Sequence, residues 1–144
     1  MLHHRSVRLN TASVLFVCVE NACRSQMAAA FARMHGGGRI AADSAGSRPA
    51  GVINPRAIAF MAERGCDLSA ERPKPLDDFA GQGFDAVVTM GCGDACPWVP
   101  ARQREDWALP DPKLLSDVQF REIRDEIEQR VIALLKRLHS GVEA

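Results

Sequence analysis

The chain of 144 residues carries 18 basic and 18 acidic side chains, so its formal net charge at pH 7 is zero. This balance, with no basic block, argues against nucleic acid or an anionic membrane as its main partner. No apolar run reaches the length of a membrane span and no signal-peptide core opens the sequence, which predicts a cytoplasmic protein. Cysteines stay reduced in that compartment, and an odd count of five suits reactive thiols better than a disulfide framework.

Strands and helices are predicted to alternate along the chain. The first three elements are a buried apolar strand, a helix rich in alanine and a weak second strand, at residues 14–17, 26–33 and 39–44. A helix then begins at Asn54 and Pro55 and ends at Gly65, and a short helical turn and two strands follow at 76–80, 84–89 and 106–109.

The last element is predicted to be a long amphipathic helix. Ser116 and Gln119 form a capping box at its start, and the apolar residues recur at spacings of three and four: Phe120, Ile123, Ile127, Val131, Leu134 and Leu138. Lys136 and Arg137 are expected in its final turn, where the helix dipole favours cations. The alternation predicts an α/β fold of three layers, a central parallel four-stranded sheet with helices on both faces. This single domain is expected over residues 13–140, after a flexible N-terminal extension of residues 1–12.

The most informative segment joins the first strand to the first helix. It has a cysteine and an arginine in C-x5-R spacing, Cys18 and Arg24, in a loop without proline that leads directly into a helix. Backbone amides at a helix N-terminus and an arginine fork suit a tetrahedral oxyanion, and the same field favours a nucleophilic thiolate. Two other C-x5-R matches begin at Cys66 and Cys96, but prolines follow them instead of a helix. The predicted oxyanion-binding residues are Val19, Glu20, Asn21, Ala22, Cys23, Arg24 and Ser25.

An oxyanion site of this kind also needs an acid to protonate the leaving oxygen. Asp111, between two prolines after a predicted strand, is the candidate, and Asp94 is a rival. Ser25 either donates its hydroxyl to the Cys18 thiolate or caps the helix, and Asn21 suits a left-handed position in the loop. No histidine is well placed as a base, which argues against a Cys-His hydrolase.

Two further cysteines, Cys92 and Cys96, follow the strand at 84–89 in a glycine-containing loop. They are read as a redox pair, in preference to two small buried residues or a zinc pair, because the sequence offers no second pair of zinc ligands. The carboxyl ends of parallel strands meet at one edge of a sheet, so this loop and Cys18 are expected to face one pocket. Two thiols beside a nucleophilic thiol can supply two electrons to a bound oxyanion, which arsenate can use and phosphate cannot.

Several segments in this order resemble the arsenate reductases with the low-molecular-weight protein tyrosine phosphatase fold, of the thioredoxin-coupled type. The resemblance rests on the motifs that begin at Cys18, Ser44, Thr89 and Asp111, and it runs from Ser13 to Leu138. It implies that Cys18 attacks arsenate held by Arg24 and the loop amides while Asp111 protonates the departing oxygen.

The resemblance also implies how the electrons are delivered. Cys92 then attacks Cys18 and releases arsenite, and Cys96 attacks Cys92, leaving a Cys92–Cys96 disulfide for thioredoxin to reduce. Phosphate or sulfate would bind as an analogue of arsenate. No cofactor is implied, the protein is expected to be a monomer, and Cys23 and Cys66 are read as structural, with Cys23 pointing away from the anion.

Three departures from the family pattern bear on function. The glutamate that some relatives use to bind potassium falls at Ala29, so no metal site is carried over. The spacer between Cys92 and Cys96 is short, which leaves glutathione or another small thiol as an alternative to thioredoxin. Lys113 follows Asp111 and Pro112 where phosphatases of this fold carry an aromatic residue.

Two alternative functions follow from the same residues. The first is a low-molecular-weight protein tyrosine phosphatase in which Cys92 and Cys96 are incidental. The second is an arsenite- or metal-binding protein that uses Cys18, Cys92 and Cys96 as a soft thiolate site.

Overall fold

The fold is an open parallel sheet whose strands alternate with helices in the chain. The computed structural model describes residues 11–91 and 99–143. Its strands are β1 (Ala12–Cys18), β2 (Ile40–Gly46), β3 (Phe84–Thr89) and β4 (Ala101–Asp106). Its α-helices are α1 (Arg24–Gly36), α2 (Pro55–Ala62) and α3 (Asp117–Glu143), with short 3₁₀ helices at Leu76–Phe79 and Pro112–Leu114.

The four strands pair in the order β2-β1-β3-β4, and every pairing is parallel. This confirms the predicted fold class. The register places Cys18 beside Gly46 and Val17 beside Thr89, so the carboxyl ends of β1, β2 and β3 lie next to one another. Ligands bind at the carboxyl ends of the strands in open parallel sheets.

The two faces of the sheet are buried by clusters of unequal size. The larger cluster joins the strands to all three α-helices and includes the fully buried side chains of Phe16, Phe31 and Phe120. The smaller cluster lies on the other face, where Phe79 from a 3₁₀ helix packs with Leu15 and others. The predicted apolar stripe of α3 is confirmed, since five of its six residues are buried and Ile123 packs against them.

Two predicted boundaries are wrong. The last strand is Ala101–Asp106, not 106–109; it is an edge strand with polar residues at five of its six positions, so it has no apolar signal. Helix α2 ends at Ala62 and Gly65 closes it as predicted, since Gly65 has a φ of 80° and the amide of Cys66 donates to the carbonyl oxygen of Met61 at 3.0 Å. Helix α3 continues to Glu143, so Lys136 and Arg137 are not in its final turn.

The capping predictions are confirmed at both helices. The Asn54 side chain accepts a hydrogen bond from the amide of Arg56 with Pro55 at the first helical position, and Ser116 and Gln119 exchange the hydrogen bonds of a capping box. Just beyond α2, the Glu63 carboxylate accepts hydrogen bonds from two arginine side chains of α3, which lower the pKa of Glu63 to about 2. These contacts fasten α2 to α3. Within the described ranges, none of the helices is long and apolar enough to cross a membrane.

Candidate active site

Cys18 is the last residue of β1, and the five residues that follow it form a tight loop before α1. We call residues 19–23 the Cys18 loop. The carbonyl oxygens of Cys18 and of this loop accept hydrogen bonds from backbone amides of the segment 47–54. The amide of Ser47 donates to Cys18 at 3.3 Å, that of Arg48 to Val19 at 2.8 Å, that of Ala50 to Glu20 at 2.9 Å and that of Asn54 to Ala22 at 3.1 Å. In a trans peptide the N–H points opposite to the C=O, so these bonds turn the amides of the loop toward the other side. Three residues of the loop, Glu20, Ala22 and Cys23, line a cleft together with Cys18 and Arg24.

Gly46 allows β2 to approach this loop closely. A Cβ atom at Gly46 would lie 2.6 Å from the carbonyl oxygen of Val19 and 3.0 Å from the amide nitrogen of Asn21. Both neighbours are backbone atoms, which have little freedom to move. Glycine is therefore required at this position for the loop to keep its shape.

A chain of side-chain hydrogen bonds ends on the Cys18 sulfur. Asn21 has a φ of 52°, the left-handed conformation predicted for it, and its side chain is fully buried. Its Nδ2 donates to Ser25 Oγ at 2.7 Å, and Ser25 Oγ lies 2.8 Å from Cys18 Sγ. Because Asn21 occupies an acceptor site of the hydroxyl, the hydroxyl proton is free to point at the sulfur.

The orientation of the Asn21 amide is fixed by groups that can only donate to it. Its Oδ1 accepts hydrogen bonds from the backbone N–H of Lys74 and from Gln26 Nε2, both at 2.9 Å. Gln26 Nε2 also donates to the carbonyl oxygen of Arg72 at 3.1 Å. The sequence analysis did not find Gln26 or the backbone of residues 72–74, since nothing local marks a contact across 46 positions.

Arg24 lies between the Cys18 loop and the chain segments that follow β3 and β4. Its side chain is 7% exposed, its Nη1 donates to the carbonyl oxygen of Leu109 at 3.0 Å, and its Nη2 lies 3.8 Å from Asp111 Oδ2. Gly91 has a φ of +81°, and a Cβ atom there would lie 2.6 Å from Arg24 Nη1. The structure therefore brings the predicted Cys18, Arg24 and Asp111 together and adds Gly91 and the Leu109 carbonyl, which the sequence analysis missed.

Asp111 begins a short turn, residues 111–113, that we call the Asp111 turn. Asp111 Oδ1 accepts a hydrogen bond from the amide of Lys113 at 3.0 Å, which leaves Oδ2 facing Arg24. The guanidinium of Arg56 donates to the carbonyl oxygens of Pro112 at 3.1 Å and Lys113 at 2.8 Å. It also lies 4.8 Å from the ring centre of Phe120. Arg56 thus fixes the turn from α2, a role that its position in the sequence does not reveal.

The space between these groups is a small cleft. It is lined by Cys18, Glu20, Ala22, Cys23, Arg24 and Asp111, and its volume of about 10 Å³ is close to that of one water-sized sphere. Cys18 at its floor is 2% exposed.

Cys23 is among the residues that line this cleft, whereas the sequence analysis expected it to point away from the anion. Burial, together with the nearby Asp111 and Cys18, raises the pKa of the Cys23 thiol to about 12. Cys66 is buried as expected, with its sulfur 3.6 Å from Met34 Sδ, and burial raises its pKa as well. Neither thiol has the surroundings of a nucleophile.

Cys92, Cys96 and Asp94 lie outside the described residues. The chain that leads to them is described as far as Gly91: the amide of Met90 donates to the carbonyl oxygen of Val17 at 2.8 Å, and Gly91 packs against Arg24. At Gly91 the described chain therefore lies against Arg24, one of the residues that line the cleft. Over residues 11–91 and 99–143, no three His, Cys, Asp or Glu residues are grouped so that they could hold a metal ion.

Comparison with known proteins gives one consistent result. A model of the low molecular weight phosphotyrosine protein phosphatase family matches residues 13–97 and 92–144. A glutaredoxin arsenate reductase of Synechocystis sp. is 41% identical over 128 residues, which cover 87% of this chain and 97% of the relative. The structure of an arsenate reductase in the phosphate binding state is 39% identical with a TM-score of 0.82, and the match covers 89% of this chain and 99% of that one. A thioredoxin-dependent arsenate reductase of Corynebacterium glutamicum is 37% identical with a TM-score of 0.76, over 96% of this chain and 67% of its own.

Proposed function

This chain belongs to the low molecular weight phosphotyrosine protein phosphatase family, and we propose that it reduces arsenate to arsenite, as the names of its relatives indicate for them. The chemistry begins with attack of the Cys18 thiolate on arsenic. The amides of residues 19–25 and the Arg24 guanidinium hold the arsenate oxygens, and Asp111 supplies the proton with which one oxygen leaves as water. A Cys18 sulfur–arsenic bond has then formed and an arsenic–oxygen bond has broken.

The reduction itself is a nucleophilic displacement at the Cys18 sulfur with arsenite as the leaving group, and a thiol–disulfide exchange follows it. The Cys92 thiolate attacks the Cys18 sulfur, the sulfur–arsenic bond breaks, and its electron pair stays on arsenic, which leaves as arsenite. Cys96 then attacks Cys92 and frees Cys18. Two thiols have been oxidised to the Cys92–Cys96 disulfide while arsenic has gained two electrons.

One observation favours this function over simple phosphoester hydrolysis. Gly91 lies against the guanidinium of Arg24, so closely that a single added carbon would lie 2.6 Å from Nη1. In the sequence, Cys92 follows Gly91 directly. A phosphatase has no use for a thiol at that place, whereas a reductase requires one.

The external reductant is proposed to be thioredoxin, or else glutathione or another thiol acting on the same disulfide. Relatives of both descriptions support this range, since one is named a glutaredoxin arsenate reductase and another thioredoxin-dependent. We also infer that the chain works as a monomer, because Cys18, Arg24 and Asp111 of one chain line the same cleft.

The Cys92→Ser variant tests the function, with Cys66→Ser as the control. Cys66 is buried beside Met34, away from the cleft, so its loss should leave arsenate turnover unchanged. The reductase proposal predicts that Cys92→Ser supports no more than a single attack and releases no arsenite in repeated turnovers. Continued arsenite production by Cys92→Ser would contradict the proposal.

The Cys96→Ser variant tests the order of the exchanges. It should accumulate the Cys18–Cys92 disulfide, seen by peptide mass mapping after one equivalent of arsenate. A map without that bond would refute the assigned order.

Phosphoester hydrolysis is the second candidate, because Cys18, Arg24 and Asp111 would serve it equally well. It predicts that Cys92→Ser keeps full hydrolysis of an aryl phosphate while the wild-type protein releases no arsenite from arsenate. Steady arsenite release would also remove the third reading, in which the thiols only bind arsenite.

A further inference from the structure

An ion pair joins two segments that contribute residues to the cleft, the Cys18 loop and the Asp111 turn. Lys113 Nζ lies 3.2 Å from both carboxylate oxygens of Glu20. Glu20 lines the cleft as part of the Cys18 loop, and Lys113 ends the Asp111 turn on the opposite side. Both side chains are about half exposed, at 46% for Lys113 and 40% for Glu20.

The backbone on each side of this bridge is held in place. The carbonyl oxygen of Glu20 accepts a hydrogen bond from Ala50, and the amide and carbonyl groups of Lys113 are bonded to Asp111 and Arg56. The bridge therefore joins two segments whose backbones are held in place by hydrogen bonds.

A carboxylate at this place is unexpected in a site for anions. Glu20 repels an oxyanion that its own backbone amide is placed to bind, and the ammonium group of Lys113 offsets that repulsion. A site that only had to attract anions would not need the carboxylate of Glu20. The pair does something that neither charge does by itself: it links the Cys18 loop to the Asp111 turn, and residues of both segments line the cleft.

The bridge distinguishes ligands by the substituent that extends out of the cleft. A free oxyanion has only its four oxygens, so no part of it extends to the Glu20–Lys113 bridge and the ion pair can remain intact. A phosphoryl group with an organic substituent must leave that substituent in the mouth, where the bridge lies. The bridge must then break, and both charges lose their partner.

We propose that Glu20 and Lys113 determine substrate specificity: their bridge favours free inorganic oxyanions and excludes organic phosphate esters. The proposal rests on the proposed function in that it takes the cleft to bind oxyanions. It adds a pair of residues that decides which oxyanions are accepted.

The test measures protection of Cys18 from alkylation by iodoacetamide, read at the Cys18 peptide by mass spectrometry. Inorganic phosphate and phenyl phosphate are each titrated to obtain a protection constant, and the ratio of the two constants is the readout. Changes in thiol reactivity cancel because both constants come from the same variant. The variants are Glu20→Gln, Lys113→Met and the exchange Glu20→Lys with Lys113→Glu, with the folded state checked by thermal unfolding.

Glu126→Gln is the control, since Glu126 forms an ion pair with Arg130 on α3 of similar exposure, 50% and 39%. The wild-type protein should prefer phosphate over phenyl phosphate. Each single variant should reduce that preference about two- to fivefold, which is the change expected from the loss of a half-exposed ion pair. The exchanged pair should restore the preference, and Glu126→Gln should leave it unchanged.

Three outcomes would overturn the proposal. An unchanged ratio in both single variants would refute the bridge as a specificity determinant, while protection by phosphate would still support the oxyanion cleft. Reduced preference in the single variants without recovery in the exchanged pair would assign the effect to individual charges and not to the bridge. Failure of both ligands to protect wild-type Cys18 would reject the oxyanion cleft itself and the bridge's role with it.

Discussion

Substitution of Gly91 by alanine is expected to weaken oxyanion binding by more than its effect on stability explains. The φ of +81° at Gly91 strains any residue with a Cβ by about 1–2 kcal/mol. The new Cβ would also lie 2.6 Å from Arg24 Nη1, so the guanidinium must move away from the carbonyl oxygen of Leu109. A hydrogen bond from a charged group contributes about 1.5–3 kcal/mol, so displaced Arg24 should bind phosphate about ten- to a hundredfold more weakly.

Gly81→Ala is the matched control for the backbone strain. Gly81 has a φ of +80°, but an added Cβ there would have no neighbour within 4 Å. Backbone strain should cost both variants about 1–2 kcal/mol, a fall in Tm of about 3 °C per kcal/mol for a chain of this size, and Gly91→Ala should lose in addition the Arg24–Leu109 hydrogen bond. Only Gly91→Ala should lose phosphate affinity, measured by isothermal titration calorimetry. Equal phosphate affinity in the two variants would refute the inference that Gly91 positions Arg24.

Three further predictions follow from the hydrogen bonds and pKa values. Ser25→Ala removes the hydroxyl 2.8 Å from Cys18 Sγ and should slow the first attack on arsenate about ten- to a hundredfold in stopped-flow assays, while the exposed Ser69→Ala should not. With a pKa of about 12, Cys23 is thiolate in only about one molecule in ten thousand at pH 8, so iodoacetamide should label Cys18 and leave Cys23 unlabelled; equal labelling would contradict the raised pKa of Cys23. The pKa of Glu63 is about 2 in the folded protein against an ordinary 4.5, so its contribution to stability is complete above pH 4.5 and is lost as the pH falls toward 2. Glu63→Gln should therefore flatten the dependence of unfolding free energy on pH in that window, and an unchanged slope would show that the arginine contacts do not persist in solution.

Much of the site was predictable because its signals are local. Strand, loop and helix follow one another from β1 to α1, so the sequence places Cys18 and Arg24 at a helix N-terminus without knowledge of the rest. The left-handed Asn21 and the cap at Asn54 are likewise set by near neighbours. Such features depend on backbone conformation within a few residues, which residue type strongly influences.

The remainder depends on contacts between distant parts of the chain. Arg24 binds a carbonyl oxygen 85 positions away, and Arg56 holds the Asp111 turn from 56 positions away. A surface arginine and an arginine with such a role look the same in sequence. Strand β4 was misplaced for a different reason: an edge strand has one side open to water, so its residues are polar and show no apolar run.

A count of free thiols tests the proposed function most directly. Fully reduced protein is mixed with arsenate in the absence of any other reductant, alkylated, and weighed by mass spectrometry. We predict that two of the five thiols disappear as arsenite is released. Retention of all five, with no arsenite formed even when thioredoxin or glutathione is added, would contradict the proposed function.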